Sequence, residues 1–335
     1  MSARPGPLNL ITDVGGLTVG SAQDERVETG VTVIRPDARA VAAVVVAGGG
    51  PGTRETDALA PDTLVDAVDA IVFSGGSVYG LAAADGVTAA LGAARQGFAL
   101  IPNHAVPVSP IVPAAILYDL ANSGDKAWGE SPPYRALGME ALKSARPTFD
   151  LGRFGAGYGA RAGGEPGGIG SASIETHDGI VVGALAAVNS HGAVKMPGSE
   201  AYWAWPYEQD REFGGARPAD GYALDPDDWG LAKSNPGFRP LPPMAGRTNT
   251  TLACVATNVS LTAAEAQRVA KMAMAGVARA VRPAFAPFDG DVVFCLSTAQ
   301  TERPDHRPFV LARIGELAAS TLARAIARGV FEAGR

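Results

Sequence analysis

Gly246-Arg247-Thr248-Asn249-Thr250-Thr251-Leu252-Ala253 closes a long polar, proline-rich segment and opens an apolar run. A threonine at the first residue of a buried strand can act as a nucleophile once the peptide bond before it is cut. Its hydroxyl attacks the Asn249 carbonyl, the acyl group moves from nitrogen to oxygen, and water releases it. Thr250 then carries a free α-amine beside its own hydroxyl, with a reference pKa of roughly 7.7–8.0. One residue thereby supplies both nucleophile and general base. The same two threonines are also ordinary β-formers at the start of an ordinary strand, and spacing alone does not separate the readings.

Working outward, order follows this point and irregularity precedes it. Residues 251–256 read as a strand, Thr262-Ala263-Ala264-Glu265 as a capping box in front of a helix, 291–296 as a strand and 308–333 as a long final helix. Upstream, residues 205–244 are rich in Pro, Gly, Asp and Glu with little periodicity, which predicts a surface loop or linker. Earlier still, 41–46, 70–73, 98–101, 169–174 and 180–188 read as strands, and 64–68, 78–91 and 134–145 as helices. Strands and helices mixed throughout predict a layered α/β or α+β fold.

At 335 residues the chain is long enough for a large core. Its 47% hydrophobic and 19% charged residues argue against global disorder. Net charge is −6, without a basic stripe, so nucleic-acid binding is not expected. No apolar run reaches membrane-spanning length and no signal core follows Met1, which reads as a cytoplasmic protein. Cys254 and Cys295 each lie in an apolar run and read as buried free thiols; a disulfide is open but not required.

The motifs that carry other chemistries are weak. Gly48–Gly52 and Gly75–Gly80 follow strands, yet no P-loop or dinucleotide fingerprint is present. Tight turns account for them, although Gly75 and Gly76 could still donate backbone N–H groups to a site. His104, His177, His191 and His306 lack metal-ligand spacing, so neither a metal nor another cofactor is expected. Ser77 misses the Gly-x-Ser-x-Gly elbow at its last position. Asp289-Gly290-Asp291 puts two carboxylates at one strand end, either as a solvated turn or as groups that orient and tune the new amine of Thr250.

Several segments, taken in order, resemble one family. They are Ile11-Thr12-Asp13-Val14 with Gly16-Leu17-Thr18-Val19-Gly20, Gly48 to Asp57, Phe73 to Gly80, Ala83 to Val87, Pro113 to Leu120, Gly168 to Ser173, and Asn249-Thr250-Thr251. The chain resembles the P1-type (DmpA-like, S58) peptidases over nearly its whole length. That family includes D-aminopeptidase/esterase, the β-peptidyl aminopeptidases and the nylon-oligomer hydrolases. The resemblance implies an αββα sandwich akin to N-terminal-nucleophile hydrolases. It further implies self-cleavage into a chain of residues 1–249, with 205–247 as surface linker, and a chain of residues 250–335 that stay together as one domain.

By matching motifs, it implies Thr250 as nucleophile, Asn189 as oxyanion donor and Tyr118 as a hydrogen-bonding neighbour of the nucleophile. Asp289 and Asp291 match the paired acids of the nylon-hydrolase branch. A homotetramer acting on small peptide or amide substrates is implied as well. Relatives carry a lysine just after the segment equivalent to Gly155–Ala160, whereas this chain has Arg161-Ala162-Gly163-Gly164-Glu165. Peptides with small or D-residues, β-peptides and 6-aminohexanoate oligomers are all admitted as substrates. The rival expectations are an ornithine-acetyltransferase-like acyltransferase and an uncleaved binding protein.

Overall fold

The run that begins at Thr250 becomes strand β11 (Thr250–Val259) and is buried along almost its whole length. Its even residues Leu252, Cys254 and Ala256 pack with Phe73, Leu117, Leu185 and Phe294. Its odd residues Ala253, Val255 and Val259 pack with Val269, Leu322 and Ile326. A strand alternates faces with period two, so burial on both faces requires a layer on each side. In the computed structural model, which describes residues 3–101, 103–236 and 249–335, those layers are a second sheet and a pair of helices. Residues 246–248 of the diagnostic segment and 237–247 of the expected linker lie outside the described residues.

The first sheet contains β1 (Leu17–Asp24), β2 (Thr29–Pro36), β4 (Thr53–Arg54), β5 (Ile71–Ser74) and β6 (Ala114–Ile116), in the order β1-β2-β5-β6-β4. The second contains β3 (Val41–Val46), β9 (Ile169–Glu175), β10 (Val181–Asn189), β11 and β12 (Val292–Thr301), in the order β3-β12-β11-β10-β9. Two short strands, β7 (Arg161–Ala162) and β8 (Glu165–Pro166), form a separate hairpin. β11 runs antiparallel to β10 and parallel to β12.

Helices α1 (Ala82–Ala93) and α2 (Tyr134–Lys143) cover the outer face of the first sheet, where Val31, Val33 and Val72 meet Val87, Leu91 and Leu137. Helices α3 (Ala263–Ala280) and α4 (Arg307–Ala333) cover the second. The order of layers is αββα. Between the sheets Phe73 and Phe294 pack ring to ring with centroids 6.1 Å apart. Among the described residues no helix is long and apolar enough to cross a membrane.

Most expected elements are found, including the Thr262–Glu265 capping box and two buried free cysteines. Two are not. Residues 64–68 form no helix: Leu64 points into solvent and Val68 bridges Ala40, because five residues without a cap cannot offset helix nucleation. Residues 98–101 make only a bridge from Phe98 to Ser109, and Leu100 and Ile101 are exposed. The segment 205–236 also departs from a simple surface loop. Between residues 205 and 236 regular structure is confined to the turn Trp205–Tyr207, yet Phe213 is buried against Tyr202. Glu212 there accepts two hydrogen bonds from buried Arg324 of α4, at 2.5 and 3.0 Å.

Removing the ring that joins the two sheets should be costly. Phe294→Ala is expected to destabilise the protein by about 3–5 kcal/mol, read as a fall in Tm of several degrees. An unchanged Tm would show that the sheets are not held together there.

Candidate active site

Three neighbouring strand ends converge at the head of β11. The antiparallel register sets Asn189, the last residue of β10, directly opposite Thr250. Leu185 and Ala187 of β10 share the inter-sheet layer with Leu252 and Cys254. By alternation Asn189 and Thr250 lie on that same face. On the other side Asn249 bridges Asp289 in parallel, so Asp289-Gly290-Asp291 lies beside the Asn249–Thr250 bond. Thr250, Asn249, Asn189, Asp289 and Asp291 are between 1% and 4% exposed. With so little water, each hydrogen bond and charge here acts more strongly than at the surface.

Thr250 Oγ1 donates to the carbonyl oxygen of Asn249 at 2.5 Å. Asn189 is held from several directions. Its Nδ2 donates to the Tyr118 carbonyl at 3.0 Å, and its Oδ1 accepts the Arg161 backbone N–H at 2.9 Å. Tyr118 follows β6 of the opposite sheet, so this bond ties the two sheets together at the site. The contact uses the main chain of Tyr118 rather than its phenol. Arg161 likewise contributes its backbone N–H, while its guanidinium turns back to the Gly164 carbonyl.

The acid pair is buried and fully engaged with backbone donors, which excludes the solvated-turn reading. Asp291 accepts the Thr251 N–H at 2.6 Å and the Phe285 N–H at 3.2 Å. Asp289 accepts the Ala286 N–H at 2.9 Å and the His191 N–H at 3.3 Å. Burial raises both carboxyls above the usual range, and repulsion from Asp289 helps bring Asp291 to about 7. A group poised there can give or take a proton at neutral pH.

Two residues at the site escaped the sequence reading. Lys233 Nζ lies 3.3 Å from the Asn189 carbonyl oxygen and 3.5 Å from its Oδ1. Its charge also favours the ionised form of Asp289. Burial, only partly offset by Asp289, lowers the lysine to about 8. Besides Arg161, the site therefore receives a lysine from the irregular segment 205–236. The one hint was a lone lysine within 205–236.

His191 is the other. Its backbone holds Asp289, its carbonyl accepts the Lys233 N–H at 2.9 Å, and its Nε2 lies 3.1 Å from Ser234 Oγ. Burial, together with Lys233, depresses the imidazole to about 4, so it is neutral at physiological pH.

Gly75 and Gly76 are not available as oxyanion donors. The Gly75 N–H donates to the Gly30 carbonyl at 2.9 Å, and the Gly76 N–H to Asp119 at 2.7 Å. Gly76 has a φ of 82°, and a Cβ there would sit 2.0 Å from the Tyr134 ring. The glycines thus serve a tight turn packed under α2.

The αββα layers, with a buried hydroxyl, amide and acid pair meeting at the head of a central strand, define a class: amide-bond hydrolases of the N-terminal-nucleophile fold. The sequence model of peptidase family S58 matches residues 9–335. The chain belongs to peptidase family S58 and is a hydrolase of amide or peptide bonds.

A Mycobacterium tuberculosis protein described as an uncharacterized aminopeptidase is 39% identical over 97% of this chain and 94% of its own. A 6-aminohexanoate-oligomer endohydrolase from a Kocuria species is 30% identical over 87% of this chain and 76% of its own. In structure the chain is similar to the L-aminopeptidase D-Ala-esterase/amidase of Ochrobactrum anthropi, a variant of the Ntn hydrolase fold. The TM-score is 0.66 at 18% identity, covering 98% of this chain and 87% of that one. A Burkholderia β-aminopeptidase gives 0.67 at 20%, over 98% and 88%.

The acid pair sets a pH signature. A carboxyl raised to about 7 in the fold binds a proton that the unfolded chain has already released above about pH 4. Its contribution to stability is therefore full below pH 4 and lost as pH rises through 7. In a Thr250→Ala background, Asp291→Asn is expected to flatten the decline of Tm between pH 4 and 8. An unchanged slope would place the titration elsewhere.

Proposed function

We propose that this chain is a self-processing N-terminal-threonine amidohydrolase, cut between Asn249 and Thr250. The observation that carries the reading is Thr250 Oγ1, 2.5 Å from the Asn249 carbonyl oxygen and directly opposite Asn189 in the ladder. After the cut, Thr250 Oγ attacks the substrate carbonyl while the α-amine of the same residue takes the hydroxyl proton. That amine then returns the proton to the leaving nitrogen, and water releases the acyl group from Oγ.

Asn189 is assigned as the side-chain donor to the tetrahedral oxyanion, a role worth on the order of 3 kcal/mol in comparable sites. Tyr118 and Arg161 orient its amide through their backbones. Asp289 and Asp291 are assigned to hold and tune the new amine, with Lys233 favouring the ionised form of Asp289. The substrate class that the relatives suggest is short peptides and peptide-like oligomers, including 6-aminohexanoate oligomers.

Intact-mass analysis of the purified protein should find two fragments that meet between Asn249 and Thr250. Thr250→Ala should stay in one piece and lose turnover by about 10⁴-fold or more. Appreciable turnover by that variant would sink the assignment. Lys233→Met should move the acid limb of the pH–rate profile to higher pH, since Asp289 loses the cation that lowers its pKa. A profile that keeps its midpoint while kcat falls would make Lys233 a packing residue only.

A further inference from the structure

We infer that the backbone N–H of Gly290 is the oxyanion donor of the self-cleavage step, and that the Gly48–Gly50 loop clamps it in position. The inference rests on the reading that the chain cuts before Thr250. It assigns to maturation a donor other than Asn189, which serves the substrate.

The Gly290 N–H donates to the Asn249 carbonyl oxygen at 2.8 Å. That oxygen belongs to the bond to be cut, and it also accepts the Thr250 hydroxyl. For cleavage, Oγ swings about the Thr250 Cα–Cβ bond onto the Asn249 carbonyl carbon and bonds to it. The carbonyl π pair moves onto oxygen, which needs a donor about 2.7–3.1 Å away. Before attack the Gly290 N–H already lies 2.8 Å from that oxygen and points at it. The tetrahedral centre then collapses: the carbon–nitrogen bond breaks, and the proton lost by Oγ ends on the Thr250 nitrogen. Water hydrolyses the resulting ester, giving the Asn249 carboxylate and restoring the hydroxyl.

The position demands glycine for a physical reason. A Cβ on Gly290 would stand 2.6 Å from Thr250 Oγ1, in the path of the nucleophile. The loop that carries it is gripped by backbone. Gly50 N–H donates to the Asp289 carbonyl at 2.7 Å, and the N–H groups of Ala47 and Gly48 donate to the Asp291 carbonyl at 2.9 and 3.2 Å. A Cβ on Gly48 would meet the Asp289 carbonyl oxygen at 2.3 Å and the Asp291 nitrogen at 2.5 Å, so this approach is open only to glycine. The glycine-rich 48–52 stretch, which carries no phosphate signature, thereby finds a purpose at the cleavage site. A preorganised donor costs no rearrangement at the moment charge develops.

The test replaces one backbone N–H at a time by oxygen, in full-length protein made by cell-free synthesis. One variant carries glycolic acid at 290 and the other carries it at 50. The first removes the donor to Asn249 and also weakens the Asp289 carbonyl as an acceptor. The second removes that carbonyl's own partner, and so controls for a loosened loop.

Cleavage is followed by intact mass, and turnover is measured per freed Thr250 amine. The expected result is cleavage about 100-fold slower for the 290 ester and within about tenfold of normal for the 50 ester. Turnover per cut molecule should lie within threefold of normal in both. Equal slowing by the two esters, or a loss of turnover as large as the loss of cleavage, would overturn the inference. An unsubstituted chain that never cuts would overturn it together with the function beneath it. A normally cut chain with two equal esters overturns the donor alone.

Discussion

The antiparallel pairing of β10 with β11 fixes everything that follows at the site. Because Asn189 is directly opposite Thr250, amide and hydroxyl lie on the same inter-sheet face. A slip of one residue would turn Thr250 toward the helices and its neighbours with it. Such a slip is blocked by packing, since the strand is buried on both faces by different residues: Leu252 and Cys254 inward between the sheets, Ala253 and Val255 against α3 and α4. The hydrophobic core thus sets the register of a polar site to which it contributes no atom. The parallel pairing with β12 carries the same precision to Asp289-Gly290-Asp291 on the other side.

Burial then decides the chemistry. Two carboxylates taken out of water would ordinarily be a liability. Here four backbone N–H groups satisfy them and Lys233 favours the ionised form of Asp289. The result is a pair of carboxyls held above the usual range, beside a hydroxyl and an amide already in place. Family S58 membership and this geometry point the same way, toward hydrolysis of amide bonds.

Residues 205–236 are packed into the fold and reach the candidate site. Glu212 is locked to α4 through Arg324, and Phe213 packs on Tyr202. The Lys233 backbone is hydrogen-bonded to His191. A stretch with almost no secondary structure therefore delivers a cation to within 3.3 Å of Asn189. Low periodicity marks the absence of a repeating hydrogen-bond pattern; it carries no information about burial.

Local order was legible where the chain's own pattern sufficed. The apolar runs of β3, β5, β10, β11 and β12 and the capped helix α3 follow from periodicity and turn chemistry, and Thr250 stands out as the hydroxyl that opens a buried strand. Where a short apolar stretch needed a neighbour to choose its conformation, the reading failed, as at residues 64–68 and 98–101.

The motif order assembled Thr250, Asn189, Asp289 and Asp291 as one site through family likeness. It could not say that Tyr118 meets Asn189 through its carbonyl, that Gly75 and Gly76 have their N–H groups taken, or that Lys233 joins the site. Strand composition and the place of Thr250 at the head of an apolar run are properties of adjacent residues, so the sequence by itself determined them. Which donors are free and which cation is near depend on contacts between segments far apart along the chain, so only the tertiary structure decided those.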